Sequence, residues 1–273
     1  MNATGLLDSH LHLQDYEPGT DIRLIIKQAK DAGVTHLVCN GTDVYDWTEV
    51  KAFADADPCV IPCFGVHPWF VPRDMEWVSL LESYAQMMPC GIGEIGLDRL
   101  REPFSRPLQE RAFRAQLDIA RRYERPAMIH CVKAWGWLMD ILRDEQPLPA
   151  GILIHSFAGS TELIKPLMQM GAYFSFSGKA LFSNYKSAHK ALAAVPLDRL
   201  LIESDAPNML PPEGYRAFTV PFSDDELFNH PGNLPLILNG ISMLLEIEPE
   251  RLHCIVWENS LRFFRPLLEE STS

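Results

Sequence analysis

Short apolar runs recur along the chain, each bounded by Gly, Pro or a polar cluster: Leu6–Leu11, Thr35–Asn40, Val60–Val66, Cys90–Ile95, Ala127–Cys131, Ile152–His155, Ala172–Ser177 and Leu200–Glu203. Their brevity and their β-branched or large apolar residues predict eight strands. In "LLDSHLHL", residues 6–13, strand alternation puts Asp8, His10 and His12 on one face and Leu7, Ser9 and Leu11 on the other. Longer segments with helical spacing lie between the runs. "TDIRLIIKQAKDAG" opens with an N-cap candidate at Thr20 and closes at Gly33. "RPLQERAFRAQLDIARRYERP" sets Leu108, Ala112, Ala115, Leu117 and Ile119 near one face and stops at Pro126. "STELIKPLMQMG" runs from a cap at Ser160 or Thr161 to Gly171, and two closing helices are predicted near 234–246 and 250–263. The Pro- and Gly-rich stretch 206–233 is longer than a connector needs and reads as a working loop.

Strand–helix alternation repeated eight times suggests a closed parallel barrel, an α/β fold of the (β/α)8 TIM type, more than an open sheet. A chain of 273 residues suits one such barrel as a single domain over 1–273. The composition, 47% hydrophobic and 22% charged, is that of a globular protein with a large core. No apolar run approaches the roughly 18 residues that span a bilayer. The start lacks a basic region followed by an apolar one, so the expectation is a cytoplasmic protein with no membrane partner. Six scattered cysteines without a CxxC pair read as reduced thiols. The net charge of −12 argues against a general polyanion-binding surface, although bound cations would invert the field locally.

Residues with metal or acid–base chemistry sit at the ends of the apolar runs: His10 and His12, His67 in "GVHP", Glu94 and Asp98 in "GEIGLD", His130 in "MIHC", His155 in "LIHSF", and Glu203 and Asp205 in "LIESDAP". In a (β/α)8 barrel all these ends meet at one mouth. Each has an ordinary reading alone: a hydrogen-bonded core histidine, a turn opened by Asp205 before Ala-Pro, an ion pair between Glu94 and Arg99. Together, four of these imidazoles and two of these carboxylates at one mouth are costly to desolvate. Divalent cations remove that cost, because neutral imidazole and carboxylate are their natural ligands. His36 is expected to face the helices, His189 and His253 to lie in helical segments, and His230 to open the last part of the long loop.

The motifs "DSHLH" (8–12), "GVHP" (65–68), "GEIGLD" (93–98), "IHCVKA" (129–134), "IHSF" (154–157) and "ESDAP" (203–207), in this order, resemble those of the TatD family of metal-dependent deoxyribonucleases, in the amidohydrolase superfamily. The resemblance implies a distorted TIM barrel with two divalent ions, Zn2+, Mg2+ or Mn2+. It implies that His10, His12 and Asp205 hold one ion, that His130 and His155 hold the other, and that Glu94 bridges them. His67 would lie near the substrate phosphate. Catalysis would then rest on Asp205, Glu94 and His67, with DNA or another phosphodiester as partner and nucleotides removed from 3′ ends. Four imidazoles favour Zn2+ or another transition ion. The chain departs from the family pattern at Arg99, where an aromatic is usual, at Ser156, where a cysteine is common, and in "HPGNLP", where Gly232 and Leu234 replace Arg and Glu. The alternative is an ester or amide hydrolase, for a small molecule or aminoacyl-tRNA, on the same binuclear site. A third reading is a non-catalytic metal-stabilised subunit. The sequence does not fix the oligomeric state and is compatible with a monomer.

Overall fold

The structure is a computed structural model, which describes residues 5–100, 105–145, 147–223 and 226–270. Eight strands pair in chain order in one sheet: β1 (Leu6–Leu11), β2 (Val34–Asn40), β3 (Val60–Phe64), β4 (Gly91–Asp98), β5 (Ala127–Val132), β6 (Ile152–Ile154), β7 (Ala172–Phe176) and β8 (Leu200–Ile202). The described ladders β1/β2, β3/β4, β4/β5, β5/β6 and β7/β8 are parallel. Sequential order with helices between strands is the (β/α)8 topology expected from the sequence. Strands β1, β3, β4, β6, β7 and β8 are buried along their whole length, which is why they read as near-continuous apolar runs.

The helices are α1 (Ile22–Asp31), α2 (Trp47–Ala56), α3 (Trp77–Met87), α4 (Arg106–Arg122), α5 (Trp135–Asp144), α6 (Ile164–Gln169), α7 (Lys186–Ala194), α8 (Leu234–Leu245), α9 (Pro249–Phe263) and α10 (Arg265–Glu270). Contacts group the chain into two compact units. One comprises Met1–Cys39, Ser156–Thr161 and Phe174–Arg262; the other comprises Asn40–His155, Glu162–Tyr173 and Phe263–Ser273. In the first unit the ends of β8 and β1 are laced together. Asp205 N–H donates to the His10 carbonyl at 3.0 Å, and His12 N–H donates to the Ala206 carbonyl at 2.7 Å. In the second unit β3, β4, β5 and β6 stand side by side, with α4 packed on β4.

Several local expectations are corrected. The cap of α1 is Asp21, whose Oδ1 accepts from Leu24 N–H at 3.1 Å, rather than Thr20. A carboxylate one residue nearer the first turn reaches the N3 amide. Strand β3 ends at Phe64, short of Val66, whereas β4 runs on to Asp98. At Gly96 the backbone has φ +146°, and an added Cβ would sit 2.0 Å from the His130 carbonyl oxygen, so only glycine lets β4 continue beside β5 there. Helix α4 ends at Arg122, and its buried face is Gln109, Ala112, Phe113, Gln116, Leu117, Ile119 and Ala120. Leu108 and Ala115 are only half-buried. The two glutamines look like surface residues by type and complete the inner stripe by spacing. Segment 161–169 is a 3-10 turn (Thr161–Leu163) followed by a short α6.

The long loop contains a 3-10 turn (Glu213–Tyr215) and a two-stranded ribbon, β9 (Val220–Pro221) with β10 (Leu227–Phe228); residues 224–225 lie outside the described residues. Asn229 and Asn233 pin it. Asn229 Nδ2 donates to the Ser204 carbonyl at 2.8 Å, and Asn233 Oδ1 accepts from Ala217 and Phe218 N–H at 2.8 and 2.9 Å. All six cysteines are free thiols. No described helix is long and apolar enough to cross a membrane.

Candidate metal centre

The first unit contributes His10, His12 and Asp205 as a set of convergent ligand atoms. His10 is carried by β1, His12 follows it by one residue, and Asp205 follows β8. Asp205 has φ +53°, in the left-handed region, which aspartate tolerates better than most residues. His10 Nε2 lies 3.1 Å from His12 Nε2, and His12 Nε2 lies 3.5 Å from Asp205 Oδ1. Ligands about 2.0–2.1 Å from a common ion and 90–110° apart are themselves about 2.9–3.4 Å apart, so this spacing suits a shared cation. Asp8, on the same alternation, is not a ligand in this cluster. Its Oδ1 accepts from Ser204 N–H at 2.8 Å and from His10 N–H at 3.4 Å, tying β1 to the segment after β8. Burial pushes its carboxyl up to about 8, with Glu203 adding to the rise. Glu203 accepts from the Ser175 hydroxyl.

The second unit contributes His67, Glu94 and His130, with His155 against the same carboxylate. Glu94 Oε1 lies 2.9 Å from His130 Nδ1, 2.9 Å from His155 Nε2 and 3.5 Å from His67 Nε2. His130 Nδ1 and His155 Nε2 are 3.3 Å apart. On its other edge His130 Nε2 meets Asp98 Oδ2 at 3.0 Å. A neutral imidazole has one hydrogen, and Asp98 claims it. Nδ1 then faces Glu94 with a lone pair, an arrangement that calls for a second proton or a metal cation. With the proton as stand-in, His130 has its pKa raised. Burial opposes the charge, and the Asp98 and Glu94 carboxylates outweigh it. The donor set, two imidazoles and a carboxylate at these spacings, fits a divalent ion.

His67 differs in tautomer. Its Nδ1 accepts from Trp69 N–H at 3.2 Å, so in the neutral ring Nε2 carries the hydrogen and is a donor rather than a ligand. The sequence assigns Asp98 no role and does not mark Trp69 and Gln109, which hold it, or Gln116, which holds Val66. Trp69 Nε1 donates to Asp98 Oδ2 at 2.8 Å. Gln109 ties Asp98, accepting from its N–H at 3.0 Å and donating to its carbonyl at 2.9 Å. Gln116 holds Val66, accepting at 2.6 Å and donating at 3.2 Å, and so fixes the residue before His67. The signal for both glutamines was their position on the apolar stripe of α4, seven residues apart.

The remaining histidines are accounted for. His36 packs near Trp257 of α9, as expected. His189 and His253 lie in α7 and α9 and contact backbone carbonyls. His230 caps a 3-10 turn, accepting from Gly232 N–H at 2.8 Å, and meets Gln28 at 3.2 Å.

Histidine–carboxylate clusters at the strand ends of a (β/α)8 fold define a metal-dependent hydrolase. Comparison with known proteins is consistent over nearly the whole chain. The profile of the TatD-related DNases matches residues 7–265. The uncharacterized metal-dependent hydrolase YabD of Bacillus subtilis is 30% identical over 264 residues, covering 95% of this chain and 99% of that protein. The 3′-5′ ssDNA/RNA exonuclease TatD of Pantoea vagans is 29% identical over 266 residues, with 95% and 99% covered. The crystal structure of YJJV, a TatD homologue from Escherichia coli K12, superposes with a TM-score of 0.85 at 22% identity, covering 96% of this chain and 99% of that one. The chain belongs to the TatD-related DNase family.

Proposed function

We propose that this metal-dependent hydrolase is a nuclease that removes nucleotides from the 3′ ends of DNA. The observation that carries the reading is the row Glu94–His130–Asp98, in which two carboxylates hold one imidazole and leave a cation-binding set beside the hydrogen donor of His67. The family and the exonuclease name of the Pantoea relative support a nucleic-acid substrate. The ligand scheme implied by the resemblance is part of the proposal: His10, His12 and Asp205 for one divalent ion, His130 and His155 for a second, and Glu94 shared. Bound divalent ions supply Lewis acidity, lowering the pKa of water toward neutrality and offsetting charge on the phosphoryl oxygens. Asp205 orients the attacking water and takes its proton, the bond from phosphorus to the 3′ oxygen of the preceding nucleotide breaks, and the proton passes to that departing oxygen. His67 offers its Nε2 hydrogen to a phosphate oxygen as negative charge builds there. Asp98 keeps the His130 hydrogen on Nε2, so that Nδ1 stays available. The expected setting is the cytoplasm.

The net charge of −12 and the rim departures at Gly232 and Leu234 favour a second reading, an ester or amide hydrolase on the same residues. Both readings are tested by one experiment. Single-stranded DNA labelled at either end is incubated with the protein and Mg2+, Mn2+, Co2+ or Zn2+ in turn, beside Asp205→Ala and Glu94→Ala. Release of mononucleotides from the 3′ end by the parent alone supports the nuclease. Intact DNA with every metal, together with turnover of esters or aminoacyl-tRNA, transfers the assignment to the second reading.

A further inference from the structure

The segment after β3 carries a feature that the hydrolytic chemistry does not use. Trp69 is 44% exposed and Phe70 is 40% exposed, directly beside residues that are buried: His67 at 5% and Asp98 at 1%. Isolated exposed aromatics are ordinary on a protein surface. Trp69 is distinguished by how it is held. Its indole N–H donates to Asp98 Oδ2 at 2.8 Å, and its backbone N–H donates to His67 Nδ1 at 3.2 Å. Its ring stands edge-on to His67, with centroids 4.9 Å apart, and edge-on to His130, at 6.3 Å. Phe70 continues the patch at 6.0 Å from the His67 ring. The polar edge of the indole is anchored to the candidate metal centre while a large part of the ring stays open to solvent.

Two cations follow the strands that carry Asp98 and His130. Arg99 and Lys133 are exposed and follow β4 and β5, and Arg99 N–H donates to the Val132 carbonyl at 3.1 Å. They stand one residue beyond Asp98 and three beyond His130. An oriented aromatic face, a nearby hydrogen donor and two adjacent cations match the chemistry of a single-stranded nucleotide, which offers a π-face and a phosphate one sugar away. In a chain of net charge −12 this local concentration of cation and aromatic surface is against the overall trend.

We propose that Trp69, continued by Phe70, is the stacking platform for a nucleobase at the 3′ end of the substrate and so a specificity-determining residue. The inference deepens the nuclease reading and rests on it. Trp69 stands where its ring meets a base while the neighbouring phosphate reaches His67 and the metal ligands. Because every base has a π-face, the subsite is sequence-tolerant and ranks purine above pyrimidine ends by stacking strength.

The test compares the metal-loaded parent, Trp69→Ala and Trp69→Phe on three single-stranded oligonucleotides. One is intact, one ends in an abasic residue, and one has an abasic residue at the penultimate position. On the intact strand Trp69→Ala raises KM by about 5- to 150-fold, the span of base–aromatic stacking by alanine substitution. On one of the two abasic strands the penalty disappears, because the parent has lost the same contact. Trp69→Phe keeps a ring and recovers most of the KM, and its circular dichroism and melting curve confirm folding. An equal loss on all three strands, or a loss in kcat alone, overturns the proposal and leaves Trp69 as a positioning residue acting through Asp98. Should the parent hydrolyse no strand, the nuclease reading fails separately. The platform is then judged by fluorescence anisotropy of a labelled oligonucleotide: weaker binding by Trp69→Ala upholds it, and equal binding overturns it.

Discussion

Asp98→Asn is the sharpest probe of how the second cluster works. The Asp98 carboxylate faces three hydrogen donors and no acceptor. Oδ2 accepts from His130 Nε2 at 3.0 Å and from Trp69 Nε1 at 2.8 Å, and Oδ1 accepts from Leu100 N–H at 2.6 Å. Its pKa is lowered: burial opposes ionisation, and the hydrogen bonds from His130, Leu100 and Trp69 overcome it. An asparagine of the same shape has one accepting oxygen. With that oxygen toward His130 and Trp69, the amide NH2 meets the Leu100 N–H, a donor–donor contact costing about 1–3 kcal/mol. With the amide reversed, His130 can pair only by moving its hydrogen to Nδ1, which removes the lone pair facing Glu94. Either orientation also removes the anion that raises imidazole basicity. Loss of such an outer partner lowers metal affinity by about 10- to 100-fold. That is about 1.4–2.7 kcal/mol. The assay is competition for Zn2+ or Mn2+ against a chelating dye, with circular dichroism to confirm the fold. Parent-like affinity in Asp98→Asn would refute the tautomer argument, and with it the assignment of His130 Nδ1 as a ligand.

Three further outcomes follow from the same geometry. Gln116→Leu leaves the buried Val66 N–H and carbonyl without their partner, so urea unfolding should show a loss of about 2–4 kcal/mol, and kcat should fall as His67 loosens. Arg99→Ala should reduce the salt slope of log(kcat/KM) on single-stranded DNA by about 0.7 if the guanidinium meets one phosphate; an unchanged slope removes it from the binding surface. Glu110 has its pKa lowered by the Trp137 indole N–H, then by Arg114 and Arg106, with burial opposing. Its contribution is therefore present above the ordinary carboxylate range and lost as pH falls through the lowered value. Glu110→Gln should melt roughly 1–3 °C below the parent at pH 6, and the gap should narrow as pH falls below the ordinary carboxylate range.

Legibility in the sequence tracks how locally each feature is determined. Strand positions were readable because a strand buried on both faces must be apolar throughout, and β1 and β8 emerge close to where the pattern put them. The histidines and carboxylates were readable because they interrupt that pattern at its ends, where the polarity of a buried residue demands a reason. Within each unit the fold brings His10 near His12 and Asp205, and Glu94 near His130 and His155. The supporting layer was not readable, because its partners meet only after folding. Gln109 and Gln116 reach Asp98 and Val66 across 11 and 50 positions, and Trp69 reaches Asp98 across 29. Their residue types carry no metal chemistry; spacing marks Gln109 and Gln116 as inward-facing on α4 but not as part of a site. Even the helix boundary errors have this character: Thr20 and Asp21 are both good caps by type, and only backbone direction decides that Asp21 reaches Leu24. The candidate ligands are thus legible in the chain as chemistry, while the tautomer of each ring is set by long-range partners. His67 and His130 show the consequence. Both are strand-end histidines beside Glu94, yet a backbone amide on Nδ1 leaves one with its hydrogen on Nε2, and a carboxylate on Nε2 leaves the other with a lone pair on Nδ1.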